Sequence, residues 1–256
     1  MKTNHSQIIS LLAVIFILLS LQIPALAAPE NIPIPSLRID VGQAEGPEDV
    51  AVTLRLVLLL TILSLAPSLL ILTTAFTRIV IVLSLLRNAI GTQQVPPNQV
   101  IIGLALFLTF FVMAPVWNDI NTNAIQPYMN EEISFDVASQ RALDPIRDYM
   151  KSQTRETDLK LFLEMYGQSQ VETIDDIPDF VLMPAYLISE LKTAFQMGFI
   201  LFVPFIVIDM VVASILMSMG MLMLPPVMIS LPFKILLFVM VDGWSLITRS
   251  LVLSFR

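Results

Sequence analysis

Long apolar runs separated by short polar segments dominate the pattern of this 256-residue chain. The first run is longer than the roughly 20 residues that cross a bilayer, and Pro67 either kinks one long helix there or breaks it in two. Pro115 interrupts the second run near its end. The pattern predicts an all-α membrane protein with two long helical hairpins. The apolar runs are residues 53–86, 100–117, 184–224 and 227–253.

The segment between the two hairpins, residues 118–183, is polar and holds 13 acidic residues against 5 basic ones. Apolar residues recur at helical spacing in Asp136–Lys151 and in Thr157–Tyr166, and Gly167 is a helix stop signal. We therefore predict a small helical, water-soluble domain inserted between the hairpins. Three of its carboxylates either bind calcium or form a solvated acidic face, and the missing EF-hand spacing favours the latter. These are Asp175, Asp176 and Asp179.

The N-terminus has the pattern of a secretory signal peptide. Lys2 precedes a short apolar stretch, and Ala25-Leu26-Ala27 matches the small-residue cleavage pattern. We expect residues 1–27 to be removed, with an uncleaved anchor as the alternative. Residues 28–52 would then form an exposed, Pro-rich and acidic N-terminal segment.

Charge placement predicts the sidedness of the chain. A signal peptide places the mature N-terminus outside the cytoplasm. The loop after the first span carries Arg87 and no acidic residue, which the positive-inside bias assigns to the cytoplasm. The acidic domain is then extracytoplasmic. The predicted segments are 1–27 (signal peptide), 28–52 (exposed segment), 53–117 (first hairpin), 118–183 (acidic domain) and 184–256 (second hairpin with a Met-rich pore loop).

Composition disfavours the enzyme classes. The chain is 56% hydrophobic and only 14% charged, contains no cysteine, and has one histidine, His5, inside the predicted signal peptide. Zinc chemistry, a Ser-His-Asp triad and a histidine base are therefore unavailable to the mature chain. No nucleotide-binding P-loop motif is present. We expect no enzymatic activity, no metal, no cofactor and no nucleic-acid partner.

Ionisable residues interrupt the C-terminal apolar region, where a charge is costly and usually pairs or faces water. They form a proton relay, an ion site, or ion pairs between helices that fix assembly. We favour ion pairs, with Glu190 and Lys234 joined between subunits, whereas Lys192 can snorkel to the interface. The five residues are Glu190, Lys192, Asp209, Lys234 and Asp242.

A methionine-rich turn separates the last two apolar runs. Five of the 14 methionines fall in residues 217–228, next to Gly220 and Pro225-Pro226. Methionine is flexible and polarizable, so it fills irregular gaps. The turn is either lipid-facing filler or a deformable hydrophobic constriction in a pore, and its density of methionine favours the constriction.

Several motifs resemble the FliP family of flagellar and injectisome type III secretion export-gate proteins. The longest is the block PAYLISELKTAFQMGF, and the similarity runs from about residue 50 to the end, weakening through the acidic domain. The matching segments are residues 76–78 (FTR), 86–94 (LRNAIGTQQ), 96–99 (PPNQ), 184–199 (PAYLISELKTAFQMGF), Asp209, 220–226 (GMLMLPP), 231–234 (LPFK) and 241–244 (VDGW).

The resemblance implies a structural, pore-forming part of the flagellar export gate, through which unfolded flagellar subunits leave the cytoplasm. It implies a ring of five copies in the bacterial inner membrane at the flagellar basal body, with FliQ and FliR and with FlhA and FlhB as partners. A pore gasket maps to Met221, Leu222 and Met223, flanked by Met217 and Met219. The inter-subunit ion pair maps to Glu190 and Lys234.

The alternative is a proton- or ion-coupled transporter that uses Asp209 and Asp242 as a relay. Such transporters commonly contain paired, inverted halves. This sequence shows no such pairing, which favours the structural hypothesis.

Overall fold

A computed structural model describes residues 47–92, 94–167, 177–221 and 224–255, with side chains from residue 53 onward. The predicted signal peptide and most of the exposed segment 28–52 lie outside the described residues. So do Asp175, Asp176, Leu222 and Met223. Leu54–Arg256 forms one compact unit.

The described residues are helical and contain no strand, which confirms the all-α class. A π-helical turn, Asn121–Ile125, joins the third helix to the fourth. The helices are α1 (Pro47–Leu72), α2 (Phe76–Ile90), α3 (Asn98–Ile120), α4 (Gln126–Met129), α5 (Phe135–Gln153), α6 (Glu156–Tyr166), α7 (Asp179–Ser218), α8 (Pro226–Met240) and α9 (Gly243–Leu253).

The first apolar run breaks after α1, at Thr73–Ala75 and not at Pro67. The hydroxyl of Thr73 donates to the carbonyl of Leu69 at 2.9 Å, and Thr77 donates to the carbonyl of Ile71 at 3.4 Å. Threonine hydroxyls can satisfy the carbonyls that a helix end leaves without amide partners. Neither alternative for the first run holds, because the helix continues through Pro67 and side chains beyond it end the helix at Leu72.

Pro115 does not interrupt the second apolar run. The helix continues through it to Ile120, and the π-helical turn and α4 extend the helical segment to Met129. Proline removes one helical hydrogen bond, but neighbouring packing can maintain the helix. The predicted interruption at Pro115 is wrong.

One hydrophobic core joins α2, α3, α7, α8 and α9. The buried face of α2 repeats at helical spacing through Ile79, Val82 and Leu86. Against it, α7 presents the small residues Ala194 and Gly198, which allow the two helices to approach closely. The α2–α7 contact thus connects the two predicted hairpins.

The acidic segment contains the two predicted helices, α5 and α6, and Gly167 ends α6 in the left-handed conformation at φ 82°. A second core packs Met150 of α5 against Leu182 and Tyr186 near the start of α7. This core is small, as expected for a short domain that leans on its neighbours. The start of α7 therefore belongs physically to the acidic segment as well.

In the described part of the chain, three helical segments are long and apolar enough to cross a membrane. The count rises to four if α8 and α9, which are bent by 65° relative to each other, form one broken span. The bend lies at Asp242, which has a left-handed backbone with φ 49°. The last apolar run, expected to be one helix, is consequently two.

Candidate functional site: buried ion pairs and a methionine-rich turn

Arg78 of α2 and Glu190 of α7 form a buried ion pair. Their side chains are 3% and 0% exposed. The Nε atom of Arg78 donates to Oε2 of Glu190 at 2.9 Å, and its Nη2 atom donates to Oε1. Two parallel bonds between guanidinium and carboxylate make this a strong, directional contact. It joins the two helices that dominate the core.

The remaining donors of Arg78 reach two other parts of the chain. Its Nη1 atom donates to the carbonyl of Ser254 at 2.8 Å and to the Ser254 hydroxyl at 3.1 Å. Its Nη2 atom also donates to Gln153 of α5 at 3.1 Å. The guanidinium carbon lies 4.0 Å from the centre of the Phe255 ring, within the range of a cation–π contact. Arg78 therefore connects α2, α5, α7 and the residues after α9.

Lys234 of α8 and Asp209 of α7 form a second ion pair. The Lys234 ammonium donates to Oδ2 of Asp209 at 2.6 Å and to the carbonyl of Ala89 at 3.4 Å. The hydroxyl of Ser230 donates to the other oxygen of Asp209 at 2.5 Å. Lys234 is buried, whereas Asp209 is partly exposed. This pair connects α7 to α8 and to the end of α2.

Glu190 and Lys234 thus each have a different partner within the same chain. Sequence reasoning missed Arg78 as the partner of Glu190, which lies 112 positions away. The sequence did contain a signal, because an arginine inside an apolar helix needs an acidic partner. Whether Glu190 and Lys234 also meet between subunits remains a prediction.

A third polar cluster connects α6 to α7 outside the apolar centre of the spans. Lys192 and the Ser189 hydroxyl both donate to the buried carboxylate of Asp158. Burial by itself raises the pKa of Asp158. The hydrogen bonds from Lys192 and Ser189 and the charges of Lys192 and Arg155 outweigh that effect and hold this pKa below its ordinary value. Lys192, expected to snorkel, is half exposed but ion-paired.

Asp242 lies apart from these pairs. It is exposed at the bend between α8 and α9, where its backbone carbonyl accepts a hydrogen bond from the amide of Leu246. Within the described residues, no hydrogen bond or ion pair joins Asp242 to Asp209. The two acids proposed for a relay are therefore in different environments.

The methionine-rich turn follows α7. Met217 and Met219 are 59% and 64% exposed. Gly220 has φ 75°, a left-handed backbone that favours glycine, and Met221 is partly buried. The turn therefore presents flexible apolar side chains outward from the chain's own core.

The predicted acidic triplet is only partly described. Asp179 pairs with Arg147, with 2.9 Å between the carboxylate oxygen and Nε. Among the residues with described positions, no group of three His, Cys, Asp or Glu side chains is arranged to hold a metal. The arrangement around Asp179 is that of a solvated ion pair.

Comparison with known proteins gives one family. The family model described as FliP family matches residues 59–251. The flagellar biosynthetic protein FliP of Bacillus subtilis is 58% identical over 217 residues, which cover 85% of this chain and 98% of that protein.

Two further relatives carry the same name. FliP of Aquifex aeolicus is 50% identical, covering 87% of this chain and 92% of that protein. FliP of Caulobacter vibrioides is 49% identical, covering 99% of this chain and 92% of that protein. With matches of this extent and identity, the chain belongs to the FliP family.

Proposed function

We propose that this chain is a pore-forming structural subunit of the flagellar type III secretion export gate, which passes unfolded flagellar proteins out of the cytoplasm. Membership of the FliP family makes the chain a component of the flagellar export apparatus and not an enzyme. The pore role is the finer step, and physical features of the chain support it.

The observation that carries the proposal is the apolar surface that the chain leaves uncovered. Little of the most apolar stretch of each membrane-capable segment is buried within the chain. The buried share is 0% in α1, 22% in Asn98–Met129 and 17% in α7. The polar groups behave oppositely, since Arg78, Glu190 and Lys234 are buried. A subunit that pairs its buried charges internally and presents apolar helices outward is suited to lipid and to other helices.

The methionine-rich turn supports a constriction. Its exposed methionines are flexible and can pack against varied surfaces, including copies of themselves. A ring of copies would bring one such turn from each subunit to a common axis. Met221, Leu222 and Met223 would then form the gasket, flanked by Met217 and Met219.

The proposed partners follow from the same role. We propose a ring of five copies that assembles with FliQ and FliR in the bacterial inner membrane, at the flagellar basal body, in contact with FlhA and FlhB. The acidic segment would face the extracytoplasmic side. The three to four membrane-capable segments among the described residues support insertion into a membrane.

The transporter alternative gains no support from the geometry. A relay acid must exchange protons, but Asp209 accepts hydrogen bonds from both Lys234 and Ser230. These contacts make Asp209 part of a structural ion pair between α7 and α8. Asp242, in turn, is exposed at a helix bend.

Ion conductance tests the pore role. We expect Met221→Ala combined with Met223→Ala, expressed with FliQ and FliR, to raise the resting ion leak of the cell membrane several-fold, because shorter side chains open the gasket. The matched control is Met129→Ala with Met165→Ala, which truncates two exposed methionines outside the turn. An unchanged leak in an assembled gasket variant would remove the proposed gasket.

A further inference from the structure

A groove runs between α3 and α9. Its volume is about 510 Å³. A second cavity of about 440 Å³ shares Phe111 and Val252 with it, so the two adjoin along the same helices. Each has the size of an ordinary small-molecule site. The residues that matter at the first cavity are Phe111, Trp244, Ser245, Thr248, Arg249 and Val252.

One end of the groove is cationic and rich in hydrogen-bond donors. Arg249 is exposed and, unlike Arg78, makes no ion pair or hydrogen bond with any described residue. Ser245 lies one helical turn before it and Thr248 directly precedes it. Neither hydroxyl donates to a described residue, whereas Ser250 on the same helix donates to the carbonyl of Leu246. Three unoccupied donors thus converge beside the groove.

The rest of the groove is apolar. Phe111 is 64% exposed although it lies within an apolar helix, and Trp244 is also exposed. The second cavity is lined mainly by apolar side chains, including Val112, Pro115 and Phe255. Its polar member is Tyr149, whose buried hydroxyl lies beside Tyr186. Pro115 has no amide hydrogen to donate to the carbonyl of Phe111.

We propose that this groove binds one anionic phospholipid. The guanidinium of Arg249 and the hydroxyls of Ser245 and Thr248 hold the phosphate. An acyl chain packs against the exposed rings of Phe111 and Trp244. Basic pockets between membrane helices bind anionic head groups in this way.

A lipid fits better than the other sources of negative charge. Inorganic phosphate would leave the apolar wall beside Arg249 in water, whereas a phospholipid covers both parts at once. A lone arginine in a membrane segment otherwise remains unpaired, which is costly. The inference needs only that the chain resides in a membrane, so it stands or falls separately from the gasket.

Lipid retention by the full-length chain tests the site. The chain is purified in mild detergent with equal amounts of phosphatidylglycerol and phosphatidylcholine of identical acyl chains, and retained lipid is measured by native mass spectrometry. We expect the unaltered chain to retain phosphatidylglycerol preferentially. Arg249→Ala should reduce that preference about fivefold, and Arg249→Lys should keep part of it because the charge remains.

The matched control is Arg141→Ala, which removes another exposed arginine without a partner in the described residues, but in the acidic segment. It should retain the preference of the unaltered chain. Equal preference in the unaltered chain and Arg249→Ala would overturn the proposal. A second result would also overturn it: the unaltered chain shows no lipid preference, and Arg249→Ala has a lower oligomer mass. Arg249 would then pair with a neighbouring copy.

Discussion

Arg78 shows how this chain keeps a charge inside an apolar core. Each of its nitrogen donors finds an acceptor, and the aromatic ring of Phe255 covers the guanidinium. A buried ion pair adds little net stability against an apolar replacement, but removing one partner leaves the other charge uncompensated. The contact therefore specifies how α2 and α7 pair more than it adds stability.

We predict strong coupling between Arg78 and Glu190. Arg78→Met or Glu190→Gln alone should cost about 3–5 kcal/mol of unfolding free energy, and the double variant should cost less than their sum. Denaturant unfolding in detergent, monitored by tryptophan fluorescence, gives the unfolding free energies of the unaltered chain, the two single variants and the double variant. Additive costs would contradict the ion pair.

A double-mutant cycle with Glu190→Gln and Lys234→Met, measured in the same way, examines the predicted inter-subunit pair. In the isolated chain these changes should be additive, because the two residues have separate partners. Coupling that appears only in the assembled oligomer would establish the inter-subunit contact. Additivity in both states would remove it.

The Asp158 cluster predicts a pH dependence. The pKa of Asp158 is lowered in the folded chain, so its contribution to stability is complete above the unfolded value of about 3.9. That contribution is lost as pH falls through the lower, folded pKa. We expect Asp158→Asn to be less stable at neutral pH and to flatten the acid side of the melting-temperature profile.

Asp144→Asn is the control for this profile, since Asp144 is exposed on α5. It should leave the acid side of the melting curve unchanged. Identical pH profiles for Asp158→Asn and the unaltered chain would show that the cluster contributes no stability.

At the scale of the element, the sequence predicted helix identity better than helix ends. The amphipathic spacing of α5 and α6 and the stop at Gly167 are local signals, and the structure confirms them. The break after α1 depends on threonine hydroxyls and on Tyr186, which donates to the carbonyl of Thr74 from a helix distant in sequence. Proline is a local signal, but the helices continue through both Pro67 and Pro115.

Gly198 is predicted to set the distance between α2 and α7. A methyl group there would contact Leu85, with its Cβ and Cγ atoms at 3.2 Å, which is tighter than ordinary packing. Gly198→Ala should therefore destabilise the chain by about 1–3 kcal/mol, measured by unfolding in detergent. Adding Leu85→Ala should recover part of this loss.

Gly103→Ala is the matched control, because no heavy atom lies within 4 Å of the added methyl group. Alanine is also the better helix former, so this change should be neutral or stabilising. A similar loss from both glycine substitutions would show that close approach is not the cause at Gly198.

At the scale of the whole molecule, the long apolar runs sufficed to predict an all-α membrane protein. The partner of Glu190 did not follow from them, because several cations were available and only the packing of α2 on α7 selects Arg78. The turn at Met217 and Met219 was recognisable from methionine density alone. Its exposure leaves these side chains available to lipid or to other chains.

Native mass spectrometry tests most directly whether the chain acts as a subunit of a ring. The full-length chain, whose mass is 28.6 kDa before any processing, would be extracted in mild detergent alone and with FliQ and FliR. We predict one discrete species containing five copies, with the partners added when they are present. A single copy under both conditions would contradict the proposed assembly.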